Sequence, residues 1–137
     1  VTCIAITVRQ ITNGDFDVSS IVDFSGDNVI VTRTDMNHAA EIFSYNLKKK
    51  SWKQLTNVNT NTYNSLALSK TVRRYVTTTD GKKMLVWVIL PPNFDANKKY
   101  PTLLYCQGGP QSPLTQSYSF RWNFQLMAAN GSSSKNL

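Results

Sequence analysis

The hydrophobic positions of this chain are spaced for strands first and for a helix only near the end. Val18 to Phe24 (VSSIVDF) reads as a strand, and Ser25-Gly26-Asp27-Asn28 as the turn that follows. Asn28 to Arg33 (NVIVTR) is β-branched and almost uninterrupted by polar residues, the pattern of a strand buried between neighbours. Glu41 to Leu47 (EIFSYNL) alternates. Lys48-Lys49-Lys50 then makes a charged hairpin tip, and Trp52 to Leu55 returns as an outer strand. Together these predict four strands joined by tight turns.

A repeat frames this unit. Arg9 to Asn13 read RQITN and Lys53 to Asn57 read KQLTN, an offset of 44 residues from Gln10 to Gln54. About 40–45 residues is the length of one four-stranded propeller blade. After about Asn59 the character changes. Val72 to Thr79 and Met84 to Leu90 flank Asp80-Gly81, a strong hairpin signal. MLVWVIL is continuous and apolar, fit for a strand covered on both faces, and Pro91-Pro92 ends it because proline has no N–H for a sheet ladder. Asn93 to Lys99 reads as a polar loop and Pro101 to Cys106 as the next strand. Phe120, Phe124, Leu126 and Met127 recur near helical spacing, so a helix is predicted over 120–129, with Asn130-Gly131 as its C-cap. Hairpin, buried strand and helix in that order open an α/β sheet, which needs further βα units to cover its strands.

Composition narrows the function classes. The chain has 137 residues, of which 41% are hydrophobic and 17% charged, as in a globular domain. No apolar run approaches the roughly 18 residues that cross a membrane. The opening VTCIAITVRQ lacks a basic leader and a cleavage pattern, so it reads as a strand, with any export signal expected upstream. Cys3 and Cys106 have neither CxxC spacing nor partner histidines, which predicts buried free thiols, no metal and no cofactor. The formal charge of +7 invites nucleic acid, but the cations fall in small groups at predicted turns (Lys48 to Lys50, Lys82-Lys83, Lys98-Lys99) and at Arg73-Arg74. A nucleic-acid-binding domain is therefore disfavoured.

The chemistry-bearing turn is Gln107-Gly108-Gly109-Pro110, directly after the apolar run Leu103 to Cys106. Glycines after a strand let backbone N–H groups approach a developing negative charge, the requirement of an oxyanion site. The single histidine, His38, is far away in sequence. It reads as a loop residue with local hydrogen bonds, the alternative being a substrate contact beside Asp35 and Glu41. Trp52, Trp87 and Trp122 read as packing residues, and Phe120-Arg121-Trp122 as a helix start packed on the sheet. Asn130-Gly131-Ser132 has the form of a glycosylation acceptor and reads as accidental.

Five phrases together resemble the prolyl oligopeptidase family of serine peptidases, in its dipeptidyl-peptidase and acylaminoacyl-peptidase branch. They are RQITNGDFDV, VTRTDMNHAAEIFSYNL, KQLTNVN, VTTTDGKKMLVWVILPPNFD and KKYPTLLYCQGGPQSPLTQSYSFRWNFQLMAANG, running from Arg9 to Gly131. The resemblance implies a mainly β chain. Residues 1–68 would be the last blade or blades of a β-propeller, and residues 69–137 the first strands and helix of an α/β-hydrolase domain, incomplete. It implies that Gln107, Gly108 and Gly109 form an oxyanion-side turn, where many relatives carry His-Gly-Gly. The family's nucleophile elbow of GxSxG type is absent from this sequence. The chain by itself is thus expected to lack the Ser–Asp–His triad and to be inactive, as part of an exopeptidase that cleaves short peptides. The resemblance also implies a periplasmic or extracellular native protein. After Gly131 the family's hydrophobic strand gives way to SSSKNL, a change that a frameshift, an early stop or a cloning boundary would produce. The reading from another class is a β-rich interaction module that self-associates through exposed strand edges.

Overall fold

The computed structural model describes residues 7–106 and 113–133. Its first part is a four-stranded antiparallel sheet in the order β1-β2-β3-β4, formed by β1 (Asp17–Ser25), β2 (Asn28–Asp35), β3 (His38–Asn46) and β4 (Ser51–Gln54). The predicted unit is therefore present, each strand beside its sequence neighbour. Strand β2 is central to the buried surface, as its β-branched run implied: Val29, Val31 and Thr34 are buried. Antiparallel register sets Val29 opposite Tyr45 and Val31 opposite Phe43. Trp52 on β4 lies against Tyr45 with ring centroids 4.6 Å apart, and Phe16 meets Trp52 edge-on at 5.4 Å. These aromatics make one apolar face. The Tyr45 hydroxyl donates to the Ile11 carbonyl at 2.8 Å, tying the segment before β1 to the sheet.

The tip between β3 and β4 shows how the lysine run is accommodated. Lys50 takes a positive φ of 53°, Asn46 Oδ1 accepts from the Lys49 N–H at 2.8 Å, and Lys48 reaches Asp27 at 2.9 Å. Beyond β4, the side chain of Glu41 holds the connection to a one-turn helix, α1 (Thr60–Asn64), which periodicity did not predict. Its carboxylate accepts from the Thr56 hydroxyl, from the Val58 N–H at 2.8 Å and from the Asn59 N–H at 3.3 Å.

The second part is a hairpin of β5 (Lys70–Thr77) and β6 (Lys83–Leu90). At its tip the Gly81 N–H donates to the Thr78 carbonyl at 2.9 Å, and Gly81 sits at φ 79°, a left-handed position that glycine occupies without strain. Asp80-Gly81 thus belongs to a turn with a following left-handed residue, not to a two-residue loop. Helix α2 (Phe124–Ser133) packs against β6.

Several expectations need correction. Residues 7–10 form no strand, contrary to what the opening pattern predicts; the residues before them lie outside the described part. Residues 101–106 form no strand either, and Leu103 and Leu104 are 72% and 81% exposed. A strand is completed by ladder partners, and no described strand lies alongside this one. For the same reason β6 is not covered along its whole length: Met84 and Leu85 are exposed, while Val86 to Leu90 are half-buried. Cys106, expected to be buried, is exposed at the end of this unpaired segment, and Cys3 lies outside the described residues. The last helix begins at Phe124, four residues later than predicted, because Asn123 caps it: its side chain accepts from the Leu126 N–H at 3.1 Å. Phe120 and Trp122 precede the helix and are exposed. The helix continues through Asn130 and Gly131, which therefore do not end it.

Candidate functional site at the seam of the two parts

The turn predicted to carry oxyanion chemistry, Gln107, Gly108 and Gly109, lies outside the described residues. The structure instead draws attention to the β2–β3 turn, Asp35-Met36-Asn37-His38. Asp35 builds it: one carboxylate oxygen accepts from the Asn37 N–H at 2.8 Å and from the His38 N–H at 2.9 Å, an Asx turn. The same carboxylate meets His38 Nδ1 at 2.9 Å. Burial by itself would raise the Asp35 carboxyl, but the hydrogen bond with His38 and the two backbone N–H groups outweigh it, so its pKa is lowered. His38 is held above its ordinary value, first by its hydrogen bond to Asp35 and against partial burial. The His38 ring stands edge-on to Tyr63 of α1, centroids 4.9 Å apart, and the Tyr63 hydroxyl accepts from the Ala39 N–H at 2.8 Å. His38 is therefore the local hydrogen-bonding residue that its sequence context suggested.

This turn presents Asn37 to the second part of the chain. The Asn37 amide donates to the Ser69 carbonyl at 2.9 Å, and its oxygen accepts from the Thr71 hydroxyl at 3.3 Å and from Gln125 on α2. Gln125 closes the circuit by accepting from the Ser69 N–H at 2.6 Å. The segment 113–119 adds a second tie: Asp17 accepts from the Gln116 N–H at 3.1 Å, and the Thr34 hydroxyl oxygen from the Tyr118 N–H at 3.3 Å. Trp87 donates its indole N–H to the Leu114 carbonyl at 3.0 Å, fixing that segment on β6. Met36, Ser69 and Gln116 are buried at this seam. Sequence reading found Asp35 and His38 but missed Asn37 and Gln125, whose partners lie 32 to 88 residues away. The one available signal was the Asp-x-Asn pattern of an Asx turn.

Beside the turn lies a cleft of about 280 Å³, with Arg33, Asp35, His38 and Glu41 on its sheet side and Tyr63 and Asn64 from α1 closing it. The strand pattern of NVIVTR marks Arg33 only as the end of a buried strand. Among the described residues no group of histidine, cysteine and carboxylate side chains has the arrangement to hold a metal ion. No described helix is long and apolar enough to cross a membrane.

Comparison with known proteins gives this architecture its context. The chain is 43% identical over 124 residues to dipeptidyl-peptidase 5 of Porphyromonas endodontalis and 42% identical over 126 residues to that of Porphyromonas gingivalis, each match covering 90% of the chain. The chain belongs to the prolyl oligopeptidase family. The acylaminoacyl peptidase of Pyrococcus horikoshii shares the fold, with a TM-score of 0.72 over 90% of the chain at 20% identity. A shorter match, 49% identical over 49 residues, links the chain to a probable dipeptidyl-peptidase 5 of Aspergillus terreus. No family model matches. The chain spans 18% of the length of the two Porphyromonas enzymes and 19% of the Pyrococcus one, so the family assignment describes a stretch of a much larger architecture.

Proposed function

We propose that this chain is the propeller–hydrolase junction of a serine-type exopeptidase of the dipeptidyl-peptidase kind. In this reading, residues 1–68 end the propeller and residues 69–137 begin the catalytic domain. The observation that supports it is identity above 40% to two dipeptidyl-peptidases 5 over 90% of the chain. In the complete enzyme a serine outside this stretch attacks the scissile carbonyl of a short peptide. The backbone at Gln107, Gly108 and Gly109 lies on the oxyanion side, where N–H donors stabilise the tetrahedral intermediate. Without a GxSxG elbow the chain itself neither forms the acyl-enzyme nor hydrolyses peptides. The complete protein acts outside the cytoplasm, in the periplasm or beyond, on peptide substrates.

Fluorophosphonate labelling tests this. The expected result is labelling of the longer protein that carries this stretch, and none of the 137-residue chain. An unlabelled longer protein overturns the serine-peptidase reading.

One observation favours a second reading, an interaction module pairing through strand edges. β1 is an edge strand whose Ile21 and Phe24 are 61% and 63% exposed. Sedimentation of the chain decides it: concentration-dependent dimers support edge pairing, and a monomer at all concentrations rejects it.

A further inference from the structure

Register opposes Arg33 on β2 to Glu41 on β3, a cross-strand pair of opposite charge. Such a pair would ordinarily close on itself. Here it does not. Both Glu41 oxygens are occupied by the loop after β4, accepting from the Thr56 hydroxyl and from the Val58 and Asn59 N–H groups. The Asp35 carboxylate is likewise occupied by its own turn and by His38. The Arg33 guanidinium turns to aromatic rings instead. Its carbon lies 3.9 Å from the centroid of Phe16, 4.9 Å from that of Phe43 and 5.3 Å from that of Trp52.

Gly14 makes that stack available. A β-carbon at Gly14 would fall 2.1 Å from the Phe16 ring, and its φ of 147° is one that side chains rarely adopt. The ring that folds over Arg33 therefore requires glycine two residues before it. Partial burial lowers the guanidinium pKa, with Asp35 partly offsetting, yet an arginine stays a cation at neutral pH. Among the described residues its N–H donors meet no acceptor and its charge no carboxylate within 4.0 Å, and it opens on the 280 Å³ cleft. A planar five-donor fork, oriented by stacked rings and facing an opening, is matched by a planar two-oxygen acceptor.

We propose that Arg33 and the cleft between the β2–β3 turn and α1 bind the carboxylate of a peptide, from an acidic side chain or from a free C-terminus. This rests on the peptidase reading for the peptide nature of the ligand. The two carboxylates that line the cleft set its limit: their charge disfavours ligands with more than one anionic group nearby, so the fit is a single carboxylate reaching the guanidinium.

The test is a titration of the isotope-labelled chain, following the Arg33 side-chain N–H signal with three probes. Acetyl-Ala-Glu-amide carries a side-chain carboxylate, acetyl-Ala-Ala free acid a terminal one, and acetyl-Ala-Gln-amide is the neutral control. Saturating shifts with either acid, at about tenfold higher affinity than the control, are expected, and the responding probe identifies the source. Equal response to the Gln-amide, or response to none, overturns the site. Arg33→Gln should abolish the preference for the acids, and persistence of that preference overturns the role of Arg33. The comparison of probes on the unmodified chain stands whether or not the variant folds. Fluorophosphonate labelling of the longer protein is independent, so a labelled enzyme without carboxylate binding rejects the cleft alone.

Discussion

Asp35 and His38 act as a pair whose strength depends on pH in both directions. The folded pKa of His38 is raised, so its contribution is fully present below the unfolded value of about 6.5 and is lost as pH rises through the folded value. Asp35 is lowered, so its contribution is present above about 3.9 and is lost as pH falls through its folded value. The turn is accordingly strongest between those limits. Because both side chains remain partly exposed, the pair contributes less than about 1 kcal/mol. His38→Gln should flatten the decline of stability above about pH 6.5 and also make the acid limb shallower, because His38 is part of what lowers the Asp35 carboxyl; both are read from urea midpoints across pH. An unchanged alkaline limb would show that His38 carries no such linkage. The sequence context of His38 implied local hydrogen bonds, but neither its pairing with Asp35 nor that the turn serves to hold out Asn37.

At the scale of elements, burial is concentrated in β2, and the energetics should follow. Val31 is 4% exposed, so Val31→Ala should cost on the order of 2 kcal/mol, whereas Ile21→Ala on exposed β1 should stay within about 0.5 kcal/mol. Equal losses in the two urea midpoints would contradict the packing described for the sheet. The blade and the β5–β6 hairpin were legible in the sequence because each strand pairs with its immediate neighbour, so local period and turn chemistry decide them. Residues 101–106 have a strand's composition without a strand's surroundings. Apolar pattern reports suitability for burial, and only a neighbouring ladder turns it into a strand. The helix start failed for a local reason: apolar spacing extends back to Phe120, but the cap at Asn123 sets where the backbone becomes helical.

For the whole molecule, the connection between the sheet and the residues from Ser69 onward passes through few side chains, with Asn37 at their meeting point. The Asp-x-Asn pattern marks the turn but not the partners of Asn37, which are a backbone carbonyl and two side chains far along the chain. Asn37→Ala should cost about 1–3 kcal/mol by leaving partly buried groups without partners. It should speed amide exchange at Ser69 and through α2 while leaving β2 and β3 protected. Uniform acceleration across both parts would mean that Asn37 supports the blade and not the seam. The Asn37 amide is also directional. Its nitrogen faces an acceptor and its oxygen faces donors, so the group cannot be turned over without opposing like to like. Deamidation to aspartate, the spontaneous ageing reaction of asparagine, would replace the donor by a second acceptor facing the Ser69 carbonyl. At this position slow chemical wear would act directly on the tie between the two parts.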